Sequence, residues 1–221
     1  MELGFPYSDP IADGPTIQQA SIRALSNKLK TDDSFEIIRQ VREIHADIPI
    51  GLLLYSNLVL KRGIEKFYQD AVVAGVDSIL IADVPLREAD RFIAVSEQTG
   101  IKQILIAPPN ASDETLAEIG NKSQGYTYLL GRAGVTGAET AVSIPASELI
   151  DKLTQYKVAP PILGFGISTP EQVAEAIKSG AAGAISGSAT VNIIADNLDQ
   201  PDVMLEKLTS FVQQMKAATH K

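Results

Sequence analysis

Short apolar, β-branched runs alternate with amphipathic stretches along the whole chain. Seven of these runs predict strands, at about 1–4, 49–54, 78–82, 102–107, 125–130, 161–165 and 183–186. Between the strands, apolar residues recur every three or four positions, which is the period of an amphipathic helix. This spacing predicts helices near 63–74, 86–98, 112–121, 146–156, 169–179 and 201–218. Strands and helices that alternate in this way indicate βα units around a parallel sheet.

Two further helices are predicted between the first and second strands. Their apolar faces are marked by Ile22, Leu25 and Leu29, and by Ile38, Val41 and Ile44. Glycines stand where predicted helices should end, and capping residues stand where they should begin. These positions are Gly75, Gly100 and Gly180 for the ends and Ser112 and Thr169 for the beginnings.

Two features favour a closed barrel over an open, doubly wound sheet. No Gly-x-Gly-x-x-Gly motif opens the first helix, which argues against a dinucleotide-binding fold. The last two strands run into glycine turns, Gly164-Phe-Gly-Ile-Ser168 and Gly187-Ser188, and barrels form phosphate sites in the loops after their last two strands. Since a complete barrel has eight strands, the chain is predicted to be a (β/α)8 barrel that is one strand short at its front.

Composition and charge exclude several classes of function. A length of 221 residues fits one domain, residues 1–221, and no apolar run is long enough to span a membrane. The formal charge of -8 argues against a DNA or RNA partner but is compatible with a small phosphorylated ligand held by backbone amides. The absence of cysteine excludes thiolate catalysis and disulfides. No secretory signal opens the chain, so we expect a cytoplasmic protein.

The candidate acid–base groups are carboxylates, because the other titratable side chains are badly placed. His45 falls at a helix end before a strand, His220 lies in the C-terminal tail, and no lysine falls at the C-terminal end of a strand, where barrels place their reacting groups. The carboxylates at that end are Glu2, Asp9, Asp13 and Asp83. The competing interpretations are a solvated Glu2 near a terminus, a turn residue at Asp13 and a structural Asp83.

Glu2 alternates with Leu3 along the first predicted strand. If Leu3 faces the helices, Glu2 points into the barrel, because successive strand side chains face opposite ways. An apolar environment there would raise the pKa of Glu2 and suit it to proton transfer. Strand ends also carry apolar side chains that could hold a flat ring, although core packing would explain most of them. These residues are Leu53, Tyr55, Ile106, Tyr128 and Phe165.

Several motifs, taken in order, resemble the α subunit of tryptophan synthase. They are Glu2-Leu-Gly-Phe-Pro-Tyr-Ser-Asp-Pro-Ile-Ala-Asp-Gly-Pro15, Tyr55-Ser56-Asn57, Asp83-Val84-Pro85, Pro108-Pro109-Asn110, Tyr126-Thr-Tyr-Leu-Leu130, Arg132-Ala-Gly-Val-Thr-Gly137, Gly164-Phe-Gly-Ile167 and Ala184-Ile-Ser-Gly-Ser188. The resemblance runs from residue 1 to the end of the chain. It implies a (β/α)8 TIM barrel that lacks its N-terminal helix, its first βα unit and the start of its second strand.

The resemblance also implies a reaction, the cleavage of indole-3-glycerol phosphate to indole and glyceraldehyde 3-phosphate by a retro-aldol step. Glu2 matches the acid–base residue, and Asp13 matches the group that stabilises positive charge at the indole nitrogen. The matched substrate-binding positions are Leu53, Tyr55, Ile106, Tyr128, Thr136, Gly137, Phe165, Gly166, Gly187 and Ser188. The matched docking face for the β subunit of an α2β2 heterotetramer comprises Pro6, Asp9, Pro10, Asn57 and Pro85. The β subunit carries pyridoxal phosphate, and no cofactor or metal is expected in this chain.

Two alternatives remain beside this hypothesis. The chain could be catalytically impaired and act only as a binding partner of the β subunit, because a barrel without one strand has two open edges and an exposed core. It could also be another phosphate-binding barrel, such as a sugar-phosphate isomerase or epimerase. The small number of histidines disfavours that second alternative.

Overall fold

A computed structural model of the chain describes residues 1–130 and 146–220. The chain divides into two units by its internal contacts. The first unit contains Met1–Ala12, Ser21–Leu105 and Lys122–Gly125, and the second contains Asp13–Ala20, Ile106–Asn121 and Tyr126–Lys221. Each unit is a set of parallel strands with helices between them, and each is described separately.

Strands in the first unit pair in parallel and in chain order. They are β1 (Glu2–Gly4), β2 (Gly51–Leu54), β3 (Ser78–Ile81) and β4 (Lys102–Ala107). The helices are α1 (Pro15–Ser26), α2 (Thr31–Ile44), α3 (Ser56–Arg62), α4 (Ile64–Ala74) and α5 (Asp90–Thr99), with a 3-10 turn at Leu86–Glu88. α1 and β4 contribute residues to both units.

One face of these strands packs against helices α2, α4 and α5. Leu52 and Leu54 of β2 belong to the same buried cluster as Ile79 and Ile81 of β3. The helices contribute Phe35, Ile38, Phe67, Tyr68, Ala71, Phe92 and Val95 to this cluster. Leu3 of β1 packs against it as well. Because side chains alternate along a strand, the residues between these positions point away from the helices.

A polar pair is buried within this helix–strand layer. The Tyr68 hydroxyl of α4 donates a hydrogen bond to the Gln103 side-chain oxygen of β4. Tyr68 is fully buried and Gln103 is 4% exposed, so neither group has water as a substitute partner. Burial raises the pKa of the Tyr68 phenol well above its usual range, which keeps the hydroxyl protonated as a donor.

We expect Tyr68→Phe to lower the free energy of unfolding by about 1–3 kcal/mol, because it leaves a buried amide oxygen without its donor. The measurement is the urea midpoint of unfolding. The matched control is the double variant Tyr68→Phe/Gln103→Leu, which replaces both partners with apolar groups and should recover most of the loss. A double variant as unstable as the single one would show that the pair is not the cause.

Strands in the second unit are also parallel and in chain order. They are β5 (Thr127–Leu130), β6 (Pro161–Gly164) and β7 (Gly183–Ala184). The helices are α6 (Asp113–Lys122), α7 (Ala146–Gln155), α8 (Pro170–Lys178), α9 (Ser188–Ala195) and α10 (Pro201–Ala217). α8 begins at a capping box, in which Thr169 accepts a hydrogen bond from the Gln172 amide.

The predicted strands and helices are confirmed, and the strands other than β4 are shorter than the apolar runs suggested. β2 begins at Gly51 instead of residue 49, and the amide of Ile50 donates to the Asp77 carboxylate at 2.7 Å instead of to a strand. Helices α3 and α9 are not among the helices predicted from periodicity, because seven or eight residues are too few to show a period. Gly63, with φ of 88°, separates α3 from α4.

The predicted apolar helix faces are buried only in part. Ile38 of α2 is 1% exposed, whereas Ile44 in its last turn is 75% exposed. Leu29 lies beyond the end of α1, and Ile22 within that helix is 54% exposed. In α10, Met215 is buried and Val212 is 56% exposed. Periodicity therefore located the helices correctly but overestimated the buried area of their apolar faces.

Candidate active site

Glu2 lies on β1 with its side chain directed away from the helices of the first unit. Its neighbour Leu3 packs against the helix-side core, so alternation turns Glu2 to the opposite face. Register places Glu2 beside Gly51 and places Gly4 beside Leu53. Glu2 and Leu53 therefore share one sheet face, and both are half-buried. The condition of the prediction, that Leu3 faces the helices, is confirmed within this unit, while the role of Glu2 stays a prediction.

The chain immediately after β1 is anchored by an aromatic cluster. Phe5 is 6% exposed and meets the ring of Phe35 edge-on, with centroids 5.2 Å apart. Phe67 completes the cluster, 6.1 Å from Phe5 and 5.2 Å from Phe35. Edge-to-face aromatic pairs add to the stabilisation from burial alone. This anchor fixes the end of the strand that carries Glu2. It was not predicted, and its one signal in the sequence is an aromatic residue directly after a strand.

A second set of contacts holds the following loop, residues 6–12. The ring of Tyr7 stacks on that of Tyr55, with centroids 5.1 Å apart and planes inclined by 27°. The Asn57 side-chain amide donates to the Tyr7 hydroxyl at 2.6 Å. The Ala12 amide donates to the Tyr55 hydroxyl at 3.1 Å. The loop is thus fixed to the residues that follow β2.

Of the predicted docking residues, Pro6, Asp9 and Pro10 lie on this loop, Asn57 contacts it through Tyr7, and Pro85 follows β3. Asp9, Asn57 and Pro85 are exposed, and Pro6 and Pro10 are half-buried. Asp9 accepts a hydrogen bond from the Ser8 hydroxyl. The structure therefore leaves these positions accessible, while their role in docking stays a prediction.

Asp83, the third strand-end candidate, has a structural role. One carboxylate oxygen accepts the Ser56 amide at 2.7 Å, and the other accepts the Ser56 hydroxyl at 2.8 Å. Ser56 is the first residue of α3. The carboxylate thus caps a helix start, and the structural interpretation of Asp83 is the one that its contacts favour.

Asp13 belongs to the second unit and is 7% exposed. Its backbone carbonyl accepts the Gln18 side-chain amide at 2.7 Å. The next residue, Gly14, accepts backbone hydrogen bonds from Ile17 and Gln18 as α1 begins. Pro15 stands at the first helical position, where its missing amide hydrogen costs nothing. Asp13 is thus a buried residue at the start of a helix. A residue that served only to form a turn would not need to be buried.

Two aromatic residues of the predicted substrate pocket meet in the second unit. Tyr128 of β5 is 5% exposed and lies edge-on to Phe165, with centroids 6.2 Å apart. Phe165 has φ of 68°, a left-handed conformation that is rare for a bulky residue and that occurs most often at functional sites. Ile106, near the end of β4, is half-buried.

The two predicted glycine turns are joined to each other. The Ser186 hydroxyl, after β7, donates to the Ile167 carbonyl, after β6, at 2.8 Å. Gly166 has φ of 83° and is exposed, as is Gly187. Ser188 begins helix α9. The hydrogen bond between Ser186 and Ile167 therefore links the start of that helix to the Gly166 turn. Ser186 was missed by the sequence analysis, because nothing in the sequence shows where a hydroxyl will point.

Two site predictions and one loop fall outside the described residues. These are Thr136, Gly137 and the rest of the loop that begins at Arg132.

Among residues 1–130 and 146–220, no group of three or more His, Asp or Glu side chains is arranged to hold a metal ion. In the same ranges, no helix is long and apolar enough to cross a lipid bilayer.

Parallel strands that alternate with helices, with Asp83 after β3 and glycine turns after β6 and β7, are typical of the (β/α)-barrel class. Glu2, which was predicted at the C-terminal end of its strand, is instead the first residue of β1. The model of the tryptophan synthase alpha chain family matches residues 1–220. The tryptophan synthase alpha chain of Vibrio vulnificus is 57% identical over 221 residues, which are 100% of this chain and 82% of that protein.

Solved structures agree with this match. The tryptophan synthase α2β2 complex of Pyrococcus furiosus contains a chain 34% identical to this one, with a TM-score of 0.84 over 98% of this chain and 85% of that chain. Tryptophan synthase subunit alpha of Legionella pneumophila is 32% identical, with a TM-score of 0.85 over 99% of this chain and 80% of that chain. The chain belongs to the tryptophan synthase alpha chain family. The seven strands within residues 1–130 and 146–220 are those of a TIM barrel without the N-terminal helix, the first βα unit and the start of the second strand. The family gives the chain a lyase role in tryptophan biosynthesis.

Proposed function

We propose that this chain cleaves indole-3-glycerol phosphate to indole and glyceraldehyde 3-phosphate in a retro-aldol reaction. The observation that carries the proposal is the placement of Glu2. It occupies a strand position beside Gly51, on the sheet face that it shares with Leu53 and that is opposite to the helices, in a chain that matches the family over residues 1–220. A carboxylic acid in that position can exchange protons with a substrate that lies against the same sheet face.

The reaction uses the two carboxylates in different roles. Glu2 donates a proton to the indole carbon that bears the glycerol chain, and positive charge develops at the ring nitrogen. The ionised Asp13 stabilises that charge. Glu2, now a carboxylate, removes the proton of the adjacent glycerol hydroxyl, the carbon–carbon bond breaks, and its electron pair restores the aromatic ring. Indole and an aldehyde leave, Glu2 is protonated again, and no cofactor takes part.

Substrate binding is assigned to two regions. Amides around Gly166, Gly187 and Ser188 hold the phosphate, because a helix N-terminus favours an anion and the Ser186 hydroxyl joins the two turns. The indole ring lies among apolar and aromatic side chains. Those proposed for this role are Leu53, Tyr55, Ile106, Tyr128 and Phe165, and Thr136 and Gly137 are proposed to complete the site.

The proposed partner is the pyridoxal-phosphate-dependent β subunit. The similar chain of Pyrococcus furiosus occurs in an α2β2 complex. Pro6, Asp9 and Pro10 lie in the loop that leads to Asp13, Asn57 contacts that loop through Tyr7, and Pro85 follows β3. This surface is proposed to dock the β subunit, which would receive the indole.

The test is a steady-state assay of indole release from indole-3-glycerol phosphate, for this chain alone and with β subunit. Glu2→Gln is the reference variant. Release by the unsubstituted chain that clearly exceeds release by Glu2→Gln is the expected result. If release does not exceed that of Glu2→Gln while the chain still stimulates the β reaction, it is a binding partner without catalytic function.

Gly164→Ala is expected to lower kcat/KM about tenfold, because a shift of about 1 Å in a site residue is enough for such a loss. A methyl group at this position would lie 2.2 Å from the Tyr128 hydroxyl oxygen and would displace the ring. The measurement is indole release at varied substrate concentration. Gly183→Ala is the matched control, since its nearest neighbour would be 3.8 Å away.

A double variant identifies the cause of the Gly164→Ala effect. Tyr128→Leu removes the ring that the new methyl group would strike. We expect Gly164→Ala to cause no further loss in that background. An equal loss in both backgrounds would place the effect in the Gly164 backbone and would contradict the proposed clash.

A further inference from the structure

Ala12, the residue before Asp13, is held through its backbone amide. That amide donates to the Tyr55 hydroxyl at 3.1 Å. Within the described part of the chain, no other amide from Pro6 to Ala12 donates a hydrogen bond, and Pro6 and Pro10 have no amide hydrogen to donate. Beside the side-chain contacts of Tyr7, this hydrogen bond is thus the one that holds the loop backbone directly before Asp13.

Tyr55 is itself fixed from two sides. Its backbone precedes Ser56, whose amide and hydroxyl are both bound by the Asp83 carboxylate. Its ring stacks on Tyr7 at 5.1 Å, and the side chain is 3% exposed. A buried ring with a fixed backbone has few rotamers available, so the direction of its hydroxyl is determined before any substrate binds.

We propose that Tyr55 is a positioning residue for Asp13. Its hydroxyl accepts the Ala12 amide and sets the position of the adjacent Asp13 carboxylate, instead of contributing mainly to the contact surface for the indole ring. The inference rests on the proposed function, in which Asp13 stabilises charge at the ring nitrogen. Such stabilisation depends on a group that is in place before the charge develops, and the Ala12 amide bond fixes the chain on the side of Asp13 that faces the loop, while Gln18 binds the Asp13 carbonyl.

Tyr55→Phe tests this role, because it removes the hydroxyl and retains the ring that stacks on Tyr7. We expect kcat for indole release to fall on the order of tenfold, since a small misplacement of a catalytic group has effects of this size. KM should change less than about twofold, because ground-state contacts are retained. Tyr156→Phe is the matched control for the loss of one tyrosine hydroxyl and should behave like the unsubstituted chain.

Asp13→Asn separates positioning from direct substrate contact. If Tyr55 acts through Asp13, adding Tyr55→Phe to Asp13→Asn causes no further loss of kcat, because residues that act as a unit are not additive. If Tyr55→Phe instead raises KM, or lowers kcat equally in both backgrounds, the hydroxyl acts on the substrate or on the fold in general, and the proposal is overturned.

Amide hydrogen exchange provides a measurement that does not depend on catalysis. The Ala12 amide should be protected in the unsubstituted chain and should exchange faster in Tyr55→Phe, while amides of β2 and β3 keep their protection. Unchanged protection of Ala12 would overturn the proposed contact. If the unsubstituted chain releases no indole, the proposed function is contradicted, and so is the catalytic part of this inference. The hydrogen-exchange result still decides whether Tyr55 holds the loop.

Discussion

Replacement of Glu2 by glutamine is expected to lower kcat for indole release by at least about 10²-fold, the usual contribution of general acid–base catalysis. Glutamine has nearly the same size and can occupy the same strand position beside Gly51. Its amide can neither donate a proton to the ring carbon nor accept one from the glycerol hydroxyl. The fold should therefore remain while proton transfer is lost.

The pH dependence of kcat shows whether the loss of activity in Glu2→Gln comes from the loss of proton transfer. The unsubstituted chain should show an ionisation that belongs to the acid–base group, and the variant should lack it. Glu97→Gln is the matched control, since Glu97 is exposed on α5. If Glu2→Gln keeps most of its activity, another group transfers the proton and Glu2 loses its assigned role.

Asp13→Asn is also expected to lower kcat at least about 10²-fold, because it removes a negative charge from the place where positive charge develops. Asp13 is 7% exposed, so little water is present to screen the charge or to replace it. Asparagine retains the shape of the side chain. The measurement is again indole release at saturating substrate, with Asp47→Asn, an exposed carboxylate change, as control.

The two catalytic variants should differ in one respect. Asp13→Asn retains Glu2 and should keep the pH dependence that Glu2→Gln loses. A loss of that dependence in Asp13→Asn would indicate that the two carboxylates titrate as one system. Retention of most activity in Asp13→Asn would show that no negative charge is needed at the ring nitrogen.

Much of the architecture could be predicted from the sequence, because it depends on local periodicity. Alternation of Glu2 and Leu3 gave the orientation of the first strand, and the core position of Leu3 confirms it. Gly75 and Gly100 end helices in the left-handed conformation, and Thr169 begins one, as their types predict. Helix α3 could not be predicted, since its seven residues are too few to show a period before Gly63 ends it.

The family could also be identified from the sequence, because its motifs lie in order along the chain. The family model and the relatives confirm it. The site was predicted in the same way, and the structure shows the local setting of each described residue. Roles of Thr136 and Gly137 stay predictions, since they lie outside the described residues.

What the sequence determined by itself is the order of strands and helices, the direction of alternating side chains and the set of carboxylates available for catalysis. These follow from spacing along the chain. Only the tertiary structure decided that Asp83 caps α3, that Ser186 joins two glycine turns and that the Tyr55 hydroxyl holds the Ala12 amide. Each is a hydrogen bond between residues distant in sequence, and its existence depends on how separate strands bring their ends together.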